Sequence, residues 1–178
     1  WTGMYHDPHL RAAIHAIKYR GCRAIRPALV EYLRRRVSVA DVLGTDAIHY
    51  AKFAIVPAPA APERARERGF EHAAFIAECL REAFALSSDD PKMLATPITY
   101  LVQRQKGSGI TQAMLEESTL RAANVRGMFT VTPSVTIPKY VLLVDDVITT
   151  GETIKDAARA ARTAGVEKMY GFALALGR

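Results

Sequence analysis

The sequence has only two cysteines, Cys22 and Cys79, which lie far apart and form no CxxC pair. A zinc site or a disulfide framework is therefore not indicated, and a reducing cytoplasm is the expected compartment. No apolar run approaches the roughly 18 residues that a membrane-spanning helix needs, so membrane insertion is not expected. The opening residues WTGMYHDPHL lack the charged start and apolar core of a signal peptide. Because Trp1 is not an initiator methionine, we expect a fragment.

The overall amino-acid composition is typical of a folded globular domain. Hydrophobic residues make up 49% of the 178 residues and charged residues 24%, so disorder or a fibrous chain is not indicated. The length predicts one domain, 1–178, with a substantial core. The formal net charge of +6 favours an anionic partner, such as nucleic acid, a phosphorylated metabolite or an acidic surface, without choosing among them.

Helical and extended patterns alternate along the chain, which predicts an α/β fold with a parallel sheet flanked by helices. Asp7 and Pro8 are typical of a helix start, and an apolar stripe follows them until the break at Gly21. The remaining helices are predicted over 26–37, 70–84, 111–123 and 151–164, and the strands over 53–56, 98–102, 128–131, 140–144 and 169–176.

The stretch YVLLVDDVITTGETI, 140–154, joins a buried strand to a helix through two acids, threonines and a glycine. Such a loop lies at the carboxyl end of the sheet, where open α/β folds bind ligands. The first amides of the helix and its positive dipole end favour a phosphate. Thr149, Thr150 and Thr153 add hydroxyl donors, and Gly151 lets the backbone approach the anion.

The adjacent acids Asp145 and Asp146 suit a different part of a ligand. Ionised carboxylates repel phosphate and accept hydrogen bonds, so they favour hydroxyl groups or a cation. For the two acids alone, an ordinary acidic turn that caps the next helix is the alternative. A ribose 5-phosphate satisfies both halves of the stretch. The sequence contains no GxxxxGK[ST], and 107–112 lacks the third glycine of a dinucleotide-binding fingerprint.

These residues resemble the phosphoribosyl pyrophosphate (PRPP) loop of type I phosphoribosyltransferases: a hydrophobic strand, two acids, a variable pair, Thr-Gly and a further Thr. The resemblance implies that Asp145 and Asp146 hold the ribose hydroxyls and that Mg²⁺ accompanies the pyrophosphate. It also implies that the following backbone amides and hydroxyls cradle the 5-phosphate. That cradle comprises Val147, Ile148, Thr149, Thr150, Gly151, Glu152 and Thr153.

Further segments are similar to the ComF family of competence-associated, phosphoribosyltransferase-like proteins. They are AIKYRG at 16–21, VPAPAAPERARERGFEHA at 56–73, and the segment that runs through Arg104 and Gln112 to Phe129. The resemblance implies a type I phosphoribosyltransferase fold, with a mostly parallel central sheet, flanking helices and a small hood formed partly by 1–50. Lys18 and Tyr19 match the family's Lys-Tyr pair, which implies a role in the hood or at the ligand.

The chain departs from the family's pattern at several places. ComF proteins commonly carry a cysteine-rich zinc-binding segment at the N-terminus, and this sequence has none. Glu71 and His72 stand where the family usually has Asn and Gln, and the 104–112 loop is slightly longer and richer in glycine. Purine-salvage enzymes usually place an Asp at the position of Thr149, so their chemistry is not expected here.

Two further regions are candidates for contacts to pyrophosphate. The segment QRQKGSGIT supplies Arg104 and Lys106 as candidate catalytic cations on a loop that closes over the site. The alternative is a basic surface loop. The resemblance also implies a pyrophosphate contact at Ala58, although Pro57 and Pro59 beside it lack backbone donors. The histidines form no metal-ligand spacing, so no metal held by protein side chains is predicted.

Two groups of arginines lie elsewhere in the sequence. Contact with pyrophosphate or nucleic acid is one interpretation of Arg64, Arg66 and Arg68, and exposure on a solvated helix face is an equally good one. The run Arg34, Arg35 and Arg36 is predicted to face solvent.

Two functions are left open by the sequence. The first is an enzyme that transfers ribose 5-phosphate from PRPP to an unknown nitrogen acceptor, releases pyrophosphate and is linked to DNA uptake. The second is a catalytically inactive PRPP-binding or DNA-associated regulatory module. Single-stranded DNA, competence-machinery proteins and a second copy of the chain are the further partners to test.

Overall fold

The computed structural model describes residues 3–4, 7–19, 22–43, 53–60, 71–88, 95–104 and 128–177. The helix predicted over 111–123, the candidate Lys106 and the arginines of 64–68 lie outside these residues. Within the described ranges, no helix has both the length and the apolar character needed to cross a membrane.

The central sheet is parallel and is built around two long neighbouring strands. In sequence order the strands are β1 (Gly3–Met4), β2 (Phe53–Pro57), β3 (Val102–Arg104), β4 (Phe129–Val131), β5 (Tyr140–Ile148) and β6 (Lys168–Leu176). The sheet has the order β1-β6-β5-β2, and β3 and β4 form a separate antiparallel pair. Helices flank this sheet, so the predicted α/β class is confirmed.

The helices of the described chain are α1 (Pro8–Tyr19), α2 (Arg26–Arg36), α3 (Val39–Leu43), α4 (His72–Leu86) and α5 (Glu152–Thr163). The start of α1 follows the predicted signal, because Asp7 Oδ1 accepts hydrogen bonds from the amides of His9 at 2.8 Å and Leu10 at 3.2 Å. The basic end of α2 is exposed, as predicted.

Successive residues of β5 enter two different cores, as the alternation of a strand requires. Leu142 and Val144 pack with residues of α1, α2 and α4 in one cluster. Val141 and Leu143 pack with residues of α5, β3 and β4 in the other cluster. The sheet therefore has a layer on each face, and β5 is buried between them.

Two predicted strands differ from the observed ones by more than one residue. The strand predicted over 140–144 continues to Ile148, because β6 keeps pairing with β5 as far as the pair Ile148 and Leu176. The strand predicted over 98–102 is reduced to an isolated bridge between Ile98 and Ile55. The chain becomes a strand only at Val102, where β4 supplies an antiparallel partner.

The β3–β4 pair is held to α5 by a buried acid that the sequence analysis did not identify. Asp156 is 5% exposed, and its Oδ2 accepts a hydrogen bond from the Phe129 amide at 3.2 Å. Its Oδ1 accepts hydrogen bonds from Arg159 Nε at 3.0 Å and Nη2 at 2.8 Å. The carboxylate thus connects the start of β4 to the helix that follows the candidate ligand loop.

Candidate functional site

The site begins where β5 extends beyond its neighbour β2. The pairing of the two strands ends at Pro57 and Val144, and the next amide, that of Ala58, donates to the Val144 carbonyl at 2.8 Å. Strand β6 continues beside β5 through Ile148. The residues 145–148 therefore project past β2 at the carboxyl edge of the parallel sheet, which is the usual place for a ligand in an open α/β fold.

Gly151 sets the direction in which the chain leaves this edge. Its φ of 76° and ψ of 2° place it in the left-handed region, which favours glycine over residues with a Cβ. It is the N-cap of α5, so the first amides and the positive dipole end of the helix lie at the loop. The local sequence thus presents hydrogen-bond donors beside the acids of β5.

A small concavity of about 30 Å³ lies at this junction. A concavity of this size cannot enclose a whole nucleotide. The structure brings together every residue of the predicted phosphate cradle and adds Ile154. The lining residues are Asp145, Val147, Ile148, Thr149, Thr150, Gly151, Glu152, Thr153 and Ile154.

Two threonines of the loop are accessible to a ligand. Thr149 and Thr150 are exposed, so their hydroxyls can donate a hydrogen bond to a bound group. Thr150 Oγ1 lies 3.5 Å from the Glu152 amide, which is a long hydrogen bond at the start of α5. The Glu152 carboxylate accepts a hydrogen bond from Lys155 Nζ at 2.8 Å, so a cation partly neutralises the acid nearest to the helix start.

Gly177 supports the loop from the end of β6, and the sequence analysis did not identify it. Its amide donates to the Ile148 carbonyl at 2.8 Å. A Cβ at this position would lie 3.1 Å from Thr149 Cγ2 and 3.2 Å from Val147 Cγ1. The backbone therefore approaches the loop more closely than a side chain allows. A glycine directly after an apolar strand is the sequence signal that could have indicated this contact.

Asp145 is the acid that lines the concavity. Burial, together with the neighbouring Asp146 carboxylate, raises the pKa of Asp145 to about 7. Its Oδ1 accepts a hydrogen bond from the Asp146 amide at 2.8 Å. Because its pKa is raised, Asp145 keeps its proton to a higher pH than an ordinary aspartate does. It can then donate a hydrogen bond as well as accept one, unlike the acceptor-only group assumed from the sequence.

Asp146 contacts the opposite layer of the protein. Its Oδ1 accepts the Val147 amide at 2.7 Å, and its Oδ2 lies 2.8 Å from Lys18 Nζ on α1. The same Oδ2 lies 3.9 Å from His72 Nδ1 at the start of α4. The two acids thus share one edge of the sheet, but Asp145 belongs to the concavity and Asp146 to a cluster with α1 and α4. Their contact with ribose hydroxyls stays a prediction.

Two other predicted site residues that the structure describes, Ala58 and Arg104, do not line the concavity. The Ala58 amide is used to join β2 to β5, so a pyrophosphate contact at this turn would need a different donor. The Arg104 guanidinium lies 5.4 Å from the centre of the Phe129 ring, and Arg104 does not line the concavity. The arrangement of Arg104 with Lys106 is not described, so their catalytic role stays a prediction.

Metal-binding side chains are not clustered in the part of the chain that is described. Among those residues, no group of three or more His, Cys, Asp and Glu side chains could hold a metal ion. Asp145 and Asp146 together supply two carboxylates at one edge.

A scan of protein-family models gives no match to this chain, and a search of curated proteins also gives no match. The resemblance to the ComF family therefore rests on the motifs of the sequence.

Proposed function

We propose that this chain is a PRPP-binding protein with a type I phosphoribosyltransferase fold. The observation that carries the proposal is the junction of two unlike surfaces at one edge of the sheet. The acids at the end of β5 supply acceptors for hydroxyl groups, and the concavity at the start of α5 supplies donors for a phosphate. A 5-phosphorylated ribose carries both kinds of group, hydroxyls and a phosphate.

Mg²⁺ is the cofactor that fits the charges of this proposal. PRPP is strongly anionic, and its approach to Asp145 and Asp146 is opposed by their negative charge. Mg²⁺ commonly binds through one or two carboxylates together with substrate phosphates and water, and does not need a site made only of protein side chains. The two acids of β5 are sufficient for such an arrangement, with the remaining oxygens coming from the ligand.

As an enzyme, the protein would transfer the ribose 5-phosphate to a nitrogen atom. The bond between ribose C1 and the pyrophosphate oxygen breaks and its electron pair leaves with pyrophosphate, while the lone pair of the acceptor nitrogen forms the C1–N bond. The proton that the nitrogen then loses passes to pyrophosphate or to water. The protein's part would be to position the ribose and to neutralise the charge that develops on the leaving group. The acceptor is not assigned.

Calorimetry with PRPP and Mg²⁺ tests the binding proposal. We expect the parent chain to bind and the double variant Asp145→Asn with Asp146→Asn to bind at least 10-fold more weakly, because both carboxyl groups that would face the ribose hydroxyls and Mg²⁺ are lost. Glu31→Gln with Glu167→Gln is the matched control, since it removes two charges from half-exposed carboxylates outside the site. If the double variant and the control bind PRPP as well as the parent does, the acids of β5 are not the ribose site.

Pyrophosphate release, assayed with PRPP, Mg²⁺, ammonia and a panel of nitrogenous bases, tests the transfer. Release of pyrophosphate that occurs only when an acceptor is present would support the hypothesis that the protein is an enzyme. Binding of PRPP without release for any acceptor favours the regulatory module, and salt-dependent binding of single-stranded DNA would then support its association with nucleic acid.

A further inference from the structure

A cluster of three ionisable side chains lies next to the phosphate concavity, on the opposite face of the central sheet. Lys18 comes from the last turn of α1, His72 from the first turn of α4, and Asp146 from β5. Asp146 Oδ2 lies 2.8 Å from Lys18 Nζ and 3.9 Å from His72 Nδ1. The three side chains are only 22%, 10% and 17% exposed, in the order Lys18, His72 and Asp146. Three separate elements therefore converge on one carboxylate.

Protein groups hold the Asp146 carboxylate by both oxygens. Oδ1 accepts the hydrogen bond of the Val147 amide at 2.7 Å, and Oδ2 accepts that of the Lys18 ammonium. A carboxylate held at two oxygens has a fixed plane, and each oxygen still has capacity for another hydrogen bond. That remaining capacity lies at the edge of the sheet where Asp145 lines the concavity. Asp146 is thus oriented before a ligand arrives.

The ion pair is not needed to attach α1 to the protein. The apolar stripe of this helix, Leu10, Ile14 and Ile17, is at most 4% exposed and belongs to the core cluster shared with α4 and β5. Lys18 lies beyond this stripe, at the helix end nearest to the site. Its ammonium also offsets part of the negative charge that two adjacent acids would direct at an anionic ligand. The Lys18–Asp146 ion pair is therefore better placed to prepare the ligand site than to hold α1 on the core.

We propose that Lys18, assisted by His72, is a positioning residue that fixes the Asp146 carboxylate to accept the ribose hydroxyls of the ligand. This inference rests on the proposed function and adds to it the groups that prepare the ribose subsite. Lys18 acts through Asp146, so its effect is restricted to ligands that contain the ribose. A phosphate bound in the concavity alone is held by the loop and by α5, and does not depend on the orientation of Asp146.

Titrations with PRPP, ribose 5-phosphate and inorganic phosphate test this inference, each with Mg²⁺ at constant ionic strength. We expect Lys18→Met to weaken both ribose-containing ligands by about 10-fold and inorganic phosphate by less than about 2-fold, because only the former use Asp146. Lys18→Arg should recover most of the affinity, since it keeps a cationic donor. Lys139→Met is the matched control, because Lys139 is 68% exposed and pairs with Glu167 at the opposite end of β5.

His72→Gln provides a second variant that keeps the inference testable if Lys18→Met does not fold. We expect His72→Gln to show the same pattern at a smaller size, about 3-fold for the ribose-containing ligands. Thermal melting of each variant separates loss of binding from loss of folding.

Four results would overturn the inference. An equal loss for all three ligands indicates a general effect of charge or structure. A loss confined to PRPP indicates that Lys18 contacts the diphosphate directly. No loss in Lys18→Met or His72→Gln shows that Asp146 needs no positioning. Failure of the parent chain to bind either ribose-containing ligand refutes the proposed function and the inference together, whereas binding by the parent that Lys18→Met leaves unchanged refutes the inference alone.

Discussion

Replacing Gly177 with alanine tests whether the end of β6 shapes the candidate ligand loop. The new Cβ would lie 3.1 Å from Thr149 Cγ2 and 3.2 Å from Val147 Cγ1, whereas carbon atoms prefer separations of about 3.5–4.0 Å. Both neighbours are β-branched and stiff, and both line the concavity. The loop must therefore move by a few tenths of an ångström to admit the methyl group.

The size of the effect follows from two opposing contributions. Overpacking a well-filled site costs about 1–3 kcal/mol, and the smaller conformational freedom of alanine in the unfolded chain returns about 0.4–1 kcal/mol. The φ of Gly177 is not positive, so no left-handed strain is added. We expect Gly177→Ala to lower the free energy of unfolding by about 1 kcal/mol and phosphate affinity by about 3-fold.

Urea denaturation and phosphate titration measure the two changes, with Gly171→Ala as the matched control. Gly171 lies within β6, the strand that Gly177 directly follows, and a Cβ there would meet only Ile154 Cγ2 at 3.9 Å, which is an ordinary contact. We expect the control to be neutral or stabilised by about 0.5 kcal/mol and to bind phosphate normally. Equal stability and equal phosphate affinity in the two variants would refute the argument that close approach at Gly177 shapes the loop.

Three further predictions concern the acid that anchors α5, the acid of the concavity and the glycine before the helix. Asp156→Ala should lower the free energy of unfolding, measured in urea, by about 2 kcal/mol, because the Phe129 amide loses its acceptor. Arg159→Met should lower the free energy of unfolding by less, because the Arg159 guanidinium is half-exposed. A raised pKa means that folded Asp145 holds its proton more tightly than unfolded Asp145, so its contribution to stability is greatest below pH 4 and is lost as pH rises to about 7. Asp145→Asn should therefore stabilise the protein more at pH 8 than at pH 5 in thermal melts, and the reverse order would contradict the raised pKa. Gly151→Ala should cost about 1 kcal/mol in urea, and Gly151→Asn less, because asparagine tolerates the left-handed region better; equal losses would argue against strain at this φ.

Local patterns in the sequence were enough to predict much of this architecture. The Asp7-Pro8 start of α1, the amphipathic course of α4 and the junction of β5 with α5 depend on residues that are neighbours in the chain. Such signals act through backbone propensity, capping and the period of the apolar residues, so they can be recognised without knowledge of packing. The cradle of 147–153 belongs to this class, because one strand end, one loop and one helix start build it.

Contacts between distant segments required the structure. The true length of β5 depends on β6, which offers backbone partners as far as Leu176. The two acids at 145–146 are unfavourable in strands, so the sequence predicted an earlier end. The position of β3 likewise depends on a distant segment, because the chain pairs with its antiparallel partner β4 only from Val102 onward.

The sequence by itself determined an α/β chain in which a Thr-Gly turn follows a buried strand, because apolar alternation and the Thr-Gly turn are local properties. Only the tertiary structure decided what each acid of that strand contacts. Alternation along β5 places Asp145 with the cradle, where burial raises its pKa, and Asp146 with Lys18 and His72 on the other layer. Two adjacent carboxylates acquire different properties because charge and burial depend on the elements packed around them.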